Sequence, residues 1–395
     1  MSEKEKTLPP VASGDMQGTL YVTGDNLSSV KRNVKSKEQL DKEYLENTFT
    51  RFSLLSYAKK LLLSRSVIKF NSNFSGCHCS ALQYYLTLVR NPNSNRAYYN
   101  GIVTCHNSKL CPVCSPRIMG FRSAEIKKAV HEWLVEFPDN TCYMLTLTVS
   151  HSINDSYQFL LSHFKNALKM FWRNGSLVRI LKSADYVGRI TSNETQYSQI
   201  NGFHPHQHIL LFCKKTDFDI DSLKKYYLSA LDSCGLSGSI ERGLDIIEAR
   251  SASCYLTKIS SEMTMGNLKQ GRQDGHYSPM QILFEAMSGS DWAADVFCEL
   301  FEGMRGLDSL RWSRGLKARF GIGEVSDEDI TKGEAQKELE KFMDICSDGF
   351  NKLSASEKAL LRNYAAVNDF ERASNLLRRH GILFSENFNN EGVDL

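Results

Sequence analysis

The chain has 395 residues, 42% of them apolar, and a formal net charge of +3. That length accommodates two or three domains with buried cores, and the near-neutral balance excludes a protein coated with positive charge while leaving room for a local basic patch of the kind a DNA binder uses. No apolar run approaches bilayer-spanning length, and the opening MSEKEKTLPPVASGDMQG carries no apolar signal core; no membrane partner is expected, the cytoplasm is the expected compartment, and the eleven cysteines are read for a reducing setting.

Residues 1–45 are rich in Ser, Lys, Asp, Gly and Asn with little periodicity and read as a disordered tail. From Phe49 to Phe70 apolar and basic positions alternate at helical spacing, predicting a basic helix and a turn. A cysteine-rich stretch follows and ends near Ser115. After Pro116, RIMGFRSAEIKKAVHEWLVEF reads as a helix whose Arg117, Arg122, Lys127 and Lys128 are candidate DNA contacts; Pro138 and Asp139 close it. Together residues 46–135 form the expected basic, zinc-binding N-terminal module.

CYMLTLTVSH, from Cys142 to His151, predicts a buried strand, and YQFLLSHFKNALKMFWRNG a helix ended by Asn174 and Gly175. ADYVGRITSNE and FHPHQHILLFC predict a strand pair, and SLKKYYLSALDSCG a helix with Gly235 as its cap. IIEARSASCYLTKISSEM starts strand-like and turns helical near Ser251. The strand-helix-strand-strand-helix order over residues 136–270 predicts an α+β layer, a central antiparallel sheet with flanking helices that resembles a split βαβ arrangement. Residues 271–395 read as a helical C-terminal region.

The strongest chemical signal is His204-Pro205-His206-Gln207-His208, followed by Ile-Leu-Leu-Phe. Residues two apart on a strand share a face, so these imidazoles can converge on one metal ion while the apolar run anchors the strand. Glu194 on the preceding strand is the nearest carboxylate; its other reading is a solvent-facing strand-end residue. A site of imidazole and carboxylate suits a hard or borderline divalent ion such as Mg²⁺ or Mn²⁺, able to polarise a phosphoryl oxygen. Further on, Lys258 sits one helical turn after Tyr255, where an ammonium lowers the cost of a phenolate nucleophile; alone, such a pair is more often surface decoration.

Cys105, Cys111, Pro112 and Cys114 form a C-P-x-C knuckle with an upstream thiol, and Cys77-His78-Cys79 lies earlier. This is a structural zinc pattern with Cys77, Cys79 or His78 as fourth ligand; a redox reading lacks the thioredoxin-like surroundings it needs. Cys142, Cys213, Cys234, Cys254, Cys298 and Cys346 fall among apolar neighbours and read as ordinary buried cysteines.

In order, the chain carries Thr146-Leu147-Thr148, then Glu194-Thr195, then the histidine strand, then Tyr255-x-x-Lys258. This order resembles the HUH endonuclease superfamily, specifically its plasmid rolling-circle replication initiator (Rep) family. SPMQILFEA (278–286) and MRGLDSLRWSRGLKARFGI (304–322) look like downstream blocks of the same family, and the C-P-x-C block also occurs in relatives of it. The resemblance implies that His206 and His208 bind metal, with His204 as the extra histidine and Glu194 as a third ligand. It implies Tyr255 as nucleophile, Lys258 as its accompanying lysine, and a product with a 5′-phosphotyrosine and a priming 3′-hydroxyl. Origin DNA, single-stranded or extruded as a hairpin, is the implied substrate.

Two positions depart from the pattern. Gln207 stands where an apolar residue is usual and should face away from the metal; Ser251 stands where some members carry the glutamate that activates water at termination, so a second protomer is the expected route there. The glycine spacing of Gly266 and Gly271 continues Arg-Gln rather than Lys-Ser/Thr, so no phosphate-binding loop is present and a host helicase and DNA polymerase are implied partners. A rolling-circle-type transposase or relaxase would use the same chemistry. A non-catalytic zinc-containing DNA-binding regulator would leave the histidine strand unexplained.

Overall fold

The computed structural model describes residues 37–93, 96–138, 142–214, 219–249, 275–308, 310–332 and 339–385. Of the tail expected at 1–45, residues 1–36 lie outside the described residues, and from Lys37 the chain is already helical in a long helix, Lys37–Ser64. The described strands are β1 (Tyr85–Asn91), β2 (Arg96–Asn100), β3 (Cys142–Thr148), β4 (Tyr186–Ser198), β5 (Gly202–Cys213), β6 (Leu244–Ala249), β7 (His276–Tyr277), β8 (Arg311–Trp312), β9 (Glu340–Cys346) and β10 (Phe384–Ser385). No helix among the described residues is long and apolar enough to cross a membrane.

The larger sheet runs β6-β3-β5-β4-β7, with β8 also on β4, and its pairings are antiparallel. Strands β3 and β4 are joined by helix Tyr157–Arg173 and held apart by β5, and a second helix, Ile220–Asp232, leads from β5 to β6. This is the expected α+β arrangement, a split βαβ core. The first helix starts where Ser156 accepts from the backbone N–H of Phe159, and buries Leu160, Leu161, Phe164, Leu168 and Phe171 at helical spacing. It shares one core with Leu145, Leu147, Ile209 and Leu211 from one face of the sheet. Met144, Leu210 and Phe212 point to the other face, against Ile126, Ala129, Val130 and Trp133 of helix Cys114–Glu136. The period of two along β3 and β5 thus feeds two separate layers.

The smaller sheet runs β10-β9-β1-β2 and joins the two ends of the chain. The β1–β2 hairpin lies inside the cysteine-rich stretch, and β9 pairs with β1 from Tyr85–Cys346 to Arg90–Glu340. The C-terminal region is therefore helical with strand contributions, and it completes the sheet of the N-terminal module. Helix 355–366 packs across β1 and β2, with the Tyr99 hydroxyl donating to the Lys358 carbonyl at 2.6 Å.

Two of the expected DNA contacts on helix Cys114–Glu136 serve the interior instead. Arg122 is 7% exposed and pairs with Glu125 at 3.0 Å and Asp327 at 2.6 Å, donating also to the Val325 carbonyl. Arg117 donates to the Thr331 carbonyl and lies 4.2 Å from the Tyr98 ring centroid. Both clamp the 325–331 stretch onto the helix, so neither guanidinium is free for phosphate. Lys127 and Lys128 remain exposed, the second donating to the Gly321 carbonyl.

Removing one partner of a buried ion pair strands the other charge. Arg122→Ala should therefore lower unfolding free energy by about 3–5 kcal/mol in urea titrations. Lys127→Ala, at an exposed position, should change it by no more than about 0.5 kcal/mol. Equal stability of the two variants would contradict the structural role given to Arg122.

Candidate functional site

Glu194 on β4 lies directly opposite His206 on β5, Ser192 opposite His208, and Gln196 opposite His204. Residues paired across a sheet share a face, so this register sets the carboxylate against the imidazoles. Glu194 Oε2 is 3.4 Å from Nε2 of both His206 and His208, and the three residues offer ligand atoms within 4.8 Å of one another. All three are buried, with Glu194 8% exposed and each histidine 6%.

The outward nitrogens are aimed by their neighbours. His206 Nδ1 donates to the His204 carbonyl at 3.1 Å, which turns Nε2 toward Glu194. His208 Nδ1 lies 3.1 Å from the Thr146 hydroxyl, supplied by β3, where Thr146 is the register partner of His208. Such contacts hold metal-ligating imidazoles in tautomer and orientation. Glu194 is left short of partners: neither carboxylate oxygen has a hydrogen bond of ordinary geometry. The 3.4 Å separations exceed the roughly 2.7–2.9 Å of a charge-assisted bond. Burial alone would raise its pKa, but the two imidazoles override that and hold the carboxyl well below its usual range. A buried carboxylate and two imidazoles, all with ligand atoms converging, fit a borderline divalent cation.

His204 is not brought into this group. It stacks on His151 at 4.7 Å between centroids, lies 6.2 Å from His276, and has its pKa pushed down to about 3 by burial and then by its imidazole neighbours. Neither His151 nor His276 stands out in the sequence: His151 merely closes the TLTVSH run after β3, and nothing local marks His276. Tyr255, Lys258, Ser251 and Glu262 lie outside the described residues, which stop at Ala249 in β6 and resume at 275. Glu248 is exposed on β6, opposite Tyr143.

The second candidate centre is the cysteine group. Cys77, Cys105, Cys111 and Cys114 bring their sulfurs within 4.8 Å of one another. Cys77 Sγ is 3.9 Å from that of Cys111 and 3.6 Å from that of Cys114, and Cys105 Sγ is 3.8 Å from that of Cys114. These are far beyond a disulfide bond, whereas a tetrahedron with Zn–S of about 2.3 Å has S···S edges of about 3.8 Å. The residues that follow Cys77 and Cys105, His78 and His106, adopt positive φ of 53° and 50°, so the chain doubles back at both ligands. Cys79, a sequence candidate for fourth ligand, is exposed instead, its sulfur accepting from Lys59 Nζ at 3.0 Å. His78 is buried with Nε2 3.9 Å from Cys114 Sγ, and burial pushes its pKa down to about 3.

Around the sulfurs lie cations withdrawn from water. Lys59, Lys358 and Arg362 are 7%, 4% and 8% exposed, and Lys59 Nζ donates to the Cys77 carbonyl. Buried charges persist only when compensated. Four thiolates around a divalent ion would carry a net double negative charge, which Lys59, bonded to the Cys77 carbonyl, and Arg362, beside His78 and Cys114, would offset. Burial otherwise raises the Cys77 and Cys105 thiols well above the ordinary range.

Comparison with known proteins gives a partial likeness. The chain is 30% identical over 137 residues to a Streptomyces lividans protein named "Protein rep", an alignment covering 28% of this chain and 30% of that relative. The chain thus spans about 30% of the length of the curated relative it matches. No family model matches the chain. No solved structure matches it.

Two outcomes follow from the geometry. Elemental analysis of protein purified without chelator should find one tightly held zinc per chain, lost in Cys77→Ser and kept in Cys79→Ser; the reverse pattern would exchange the two cysteines' roles. Thr146→Val removes the hydroxyl beside His208 Nδ1 and should weaken binding of Mn²⁺, measured by calorimetry, roughly 10- to 100-fold. An unchanged affinity would mean that Thr146 does not orient the ring.

Proposed function

We propose that the chain is a plasmid rolling-circle replication initiator that nicks one strand of origin DNA. The observation that carries this reading is the convergence of Glu194, His206 and His208, a buried set whose carboxylate oxygens lack hydrogen bonds and whose ligand atoms fit a divalent cation. The partial similarity to a protein named "Protein rep" points the same way. Glu194, His206 and His208 would hold Mg²⁺ or Mn²⁺, which supplies Lewis-acid polarisation of a phosphoryl oxygen.

The chain's own groups do the rest. The Tyr255 hydroxyl oxygen attacks phosphorus, the bond to the 3′ oxygen breaks, and the products are a 5′-phosphotyrosine and a free 3′-hydroxyl. The hydroxyl proton passes to solvent as the phenolate forms, favoured by the Lys258 ammonium three residues along the chain, and the departing 3′ oxygen takes up a proton. The phosphodiester energy stays in the covalent link, so strand rejoining needs no nucleotide. Thr146 and the His204 carbonyl hold the two imidazoles, and Cys77, Cys105, Cys111 and Cys114 hold a structural zinc ion. A host polymerase extends the 3′-hydroxyl, a host helicase unwinds ahead of it, and the cytoplasm is the proposed compartment. With Ser251 unable to act as a base near neutral pH, a second protomer supplies the second tyrosine at termination. A DNA-binding regulator without catalysis would account for the cysteine group but would leave the carboxylate–histidine set without a role.

Incubation with Mn²⁺ and an origin oligonucleotide tests the reading. A covalent adduct should form with the unaltered chain and be absent in Tyr255→Phe, which keeps the ring and origin binding but lacks the nucleophile. His206→Ala should lose metal-dependent cleavage as well. An adduct that survives Tyr255→Phe would move the nucleophile to another tyrosine, with Tyr277 in β7 the first to examine.

A further inference from the structure

The face of the large sheet opposite the histidines is not sealed along its whole length. Gln207, between the two metal-side histidines, together with Asn193 and Thr191, lines the sheet side of a cleft of about 540 Å³. One wall is helix Tyr157–Arg173, which contributes Lys165, Lys169 and Arg173. Four-residue spacing stacks these cations on one helical face, about 6 Å apart along the axis. Arg189 enters from β4 with its guanidinium 3.8 Å from the Trp172 ring centroid, and β8, whose Arg311 is the register partner of Thr191, borders the far side. Among the described residues no carboxylate lines the cleft. Arg311 at its rim is already paired with Asp308 at 3.3 Å.

One polar group here lacks a partner. Gln207 is 6% exposed; its Nε2 donates to Asn193 Oδ1 at 2.8 Å, while its Oε1 is buried without a hydrogen bond. A buried acceptor left unsatisfied is costly unless a ligand meets it. Burial, and after it the neighbouring Lys169 charge, lower the Lys165 pKa.

We infer that this cleft binds a single strand of DNA, at a site separated from the carboxylate–histidine set by the thickness of the sheet. The row of cations matches a repeating phosphate chain, and the cleft is too large for one free anion. The half-buried Trp172 ring offers a stacking surface that only unpaired bases can use, which favours a single strand over a duplex. Gln207 and Asn193 supply amide groups for base edges. The inference rests on the reading of the chain as a DNA-nicking protein, yet the site is physically distinct from the one that cuts. A strand held here stays attached when the nicking face is empty.

The test is equilibrium binding of a fluorescent oligothymidylate by the full chain carrying His206→Ala, so that cutting plays no part. Adding Lys165→Gln, Lys169→Gln and Arg173→Gln should weaken binding at least tenfold. It should also reduce the slope of log affinity against log salt by about two, at about 0.7 for each phosphate no longer neutralised. Affinity and slope unchanged by the triple substitution would overturn the inference, as would tighter binding of duplex than of single strand. Should the triple variant fail to fold, photocrosslinking of iodouracil-substituted oligonucleotide to the His206→Ala chain decides. Crosslinks in 157–173 or 311–313 support the site, and crosslinks found elsewhere alone refute it. Because neither measurement needs cleavage, a failure of the nicking reading would show separately, as a missing adduct.

Discussion

The antiparallel register of β4 against β5 is the constraint on which the chemistry of this molecule depends. Side chains alternate across a sheet with a period of two, so a slip of one residue would carry His206 and His208 to the opposite face and bring Gln207 to the side of Glu194. Several features hold the register. The connection closes on Gly202, whose φ of +80° suits glycine and where a Cβ would come within 2.7 Å of the Ser152 carbonyl oxygen. Tyr197 and Phe203 pair across the strands at 5.0 Å between ring centroids, with Tyr157 packed on Phe203 at 5.1 Å. The Tyr157 hydroxyl meets that of Thr195 at 2.9 Å. Aromatic packing on one face thereby fixes ligand geometry on the other.

The cysteine group depends on pairings of a different range. Its sulfurs come from a short stretch near the N-terminal sheet, but the cations that surround them come from both ends of the described chain: Lys59 from the first long helix, Lys358 and Arg362 from helix 355–366. The same C-terminal region supplies β9 to the open edge of β1. Electrostatic compensation and edge protection therefore arrive together.

Much of the central layer is legible in the sequence because its signals are local. The buried strand read in CYMLTLT, the alternation in HPHQHILLF, helical spacing in 157–173 and the Asn174 boundary give strands and helices close to those observed. The β1–β2 hairpin is masked by the cysteine spacing around it, although YLTLVRN and RAYYN flank a Pro-Asn-Ser-Asn turn signal. The pairing of β9 with β1 joins residues too distant for any window to reveal. The choice between Cys77 and Cys79 depends on the left-handed turn at His78, which sequence spacing does not encode. Arg117 and Arg122 look like surface cations in the sequence because their acceptors, Thr331, Val325 and Asp327, lie far along the chain. Of the candidate site, the carboxylate–histidine set is readable from strand period and strand order, whereas the orienting role of Thr146 needs the β3–β5 register.

The closure of β1 by β9 has a consequence during synthesis. Lys358 and Arg362 follow Cys114 by well over two hundred residues. At about 5–20 residues per second, a nascent chain carries the four cysteines for roughly 12–50 s before those cations emerge. Through that interval the β1–β2 hairpin has a bare edge and the sulfurs lack much of their countercharge. Early capture of a metal ion would hold the hairpin in place for β9. A ribosome that stalls before residue 340 would leave a half-built sheet open to pairing with its neighbours on the same message.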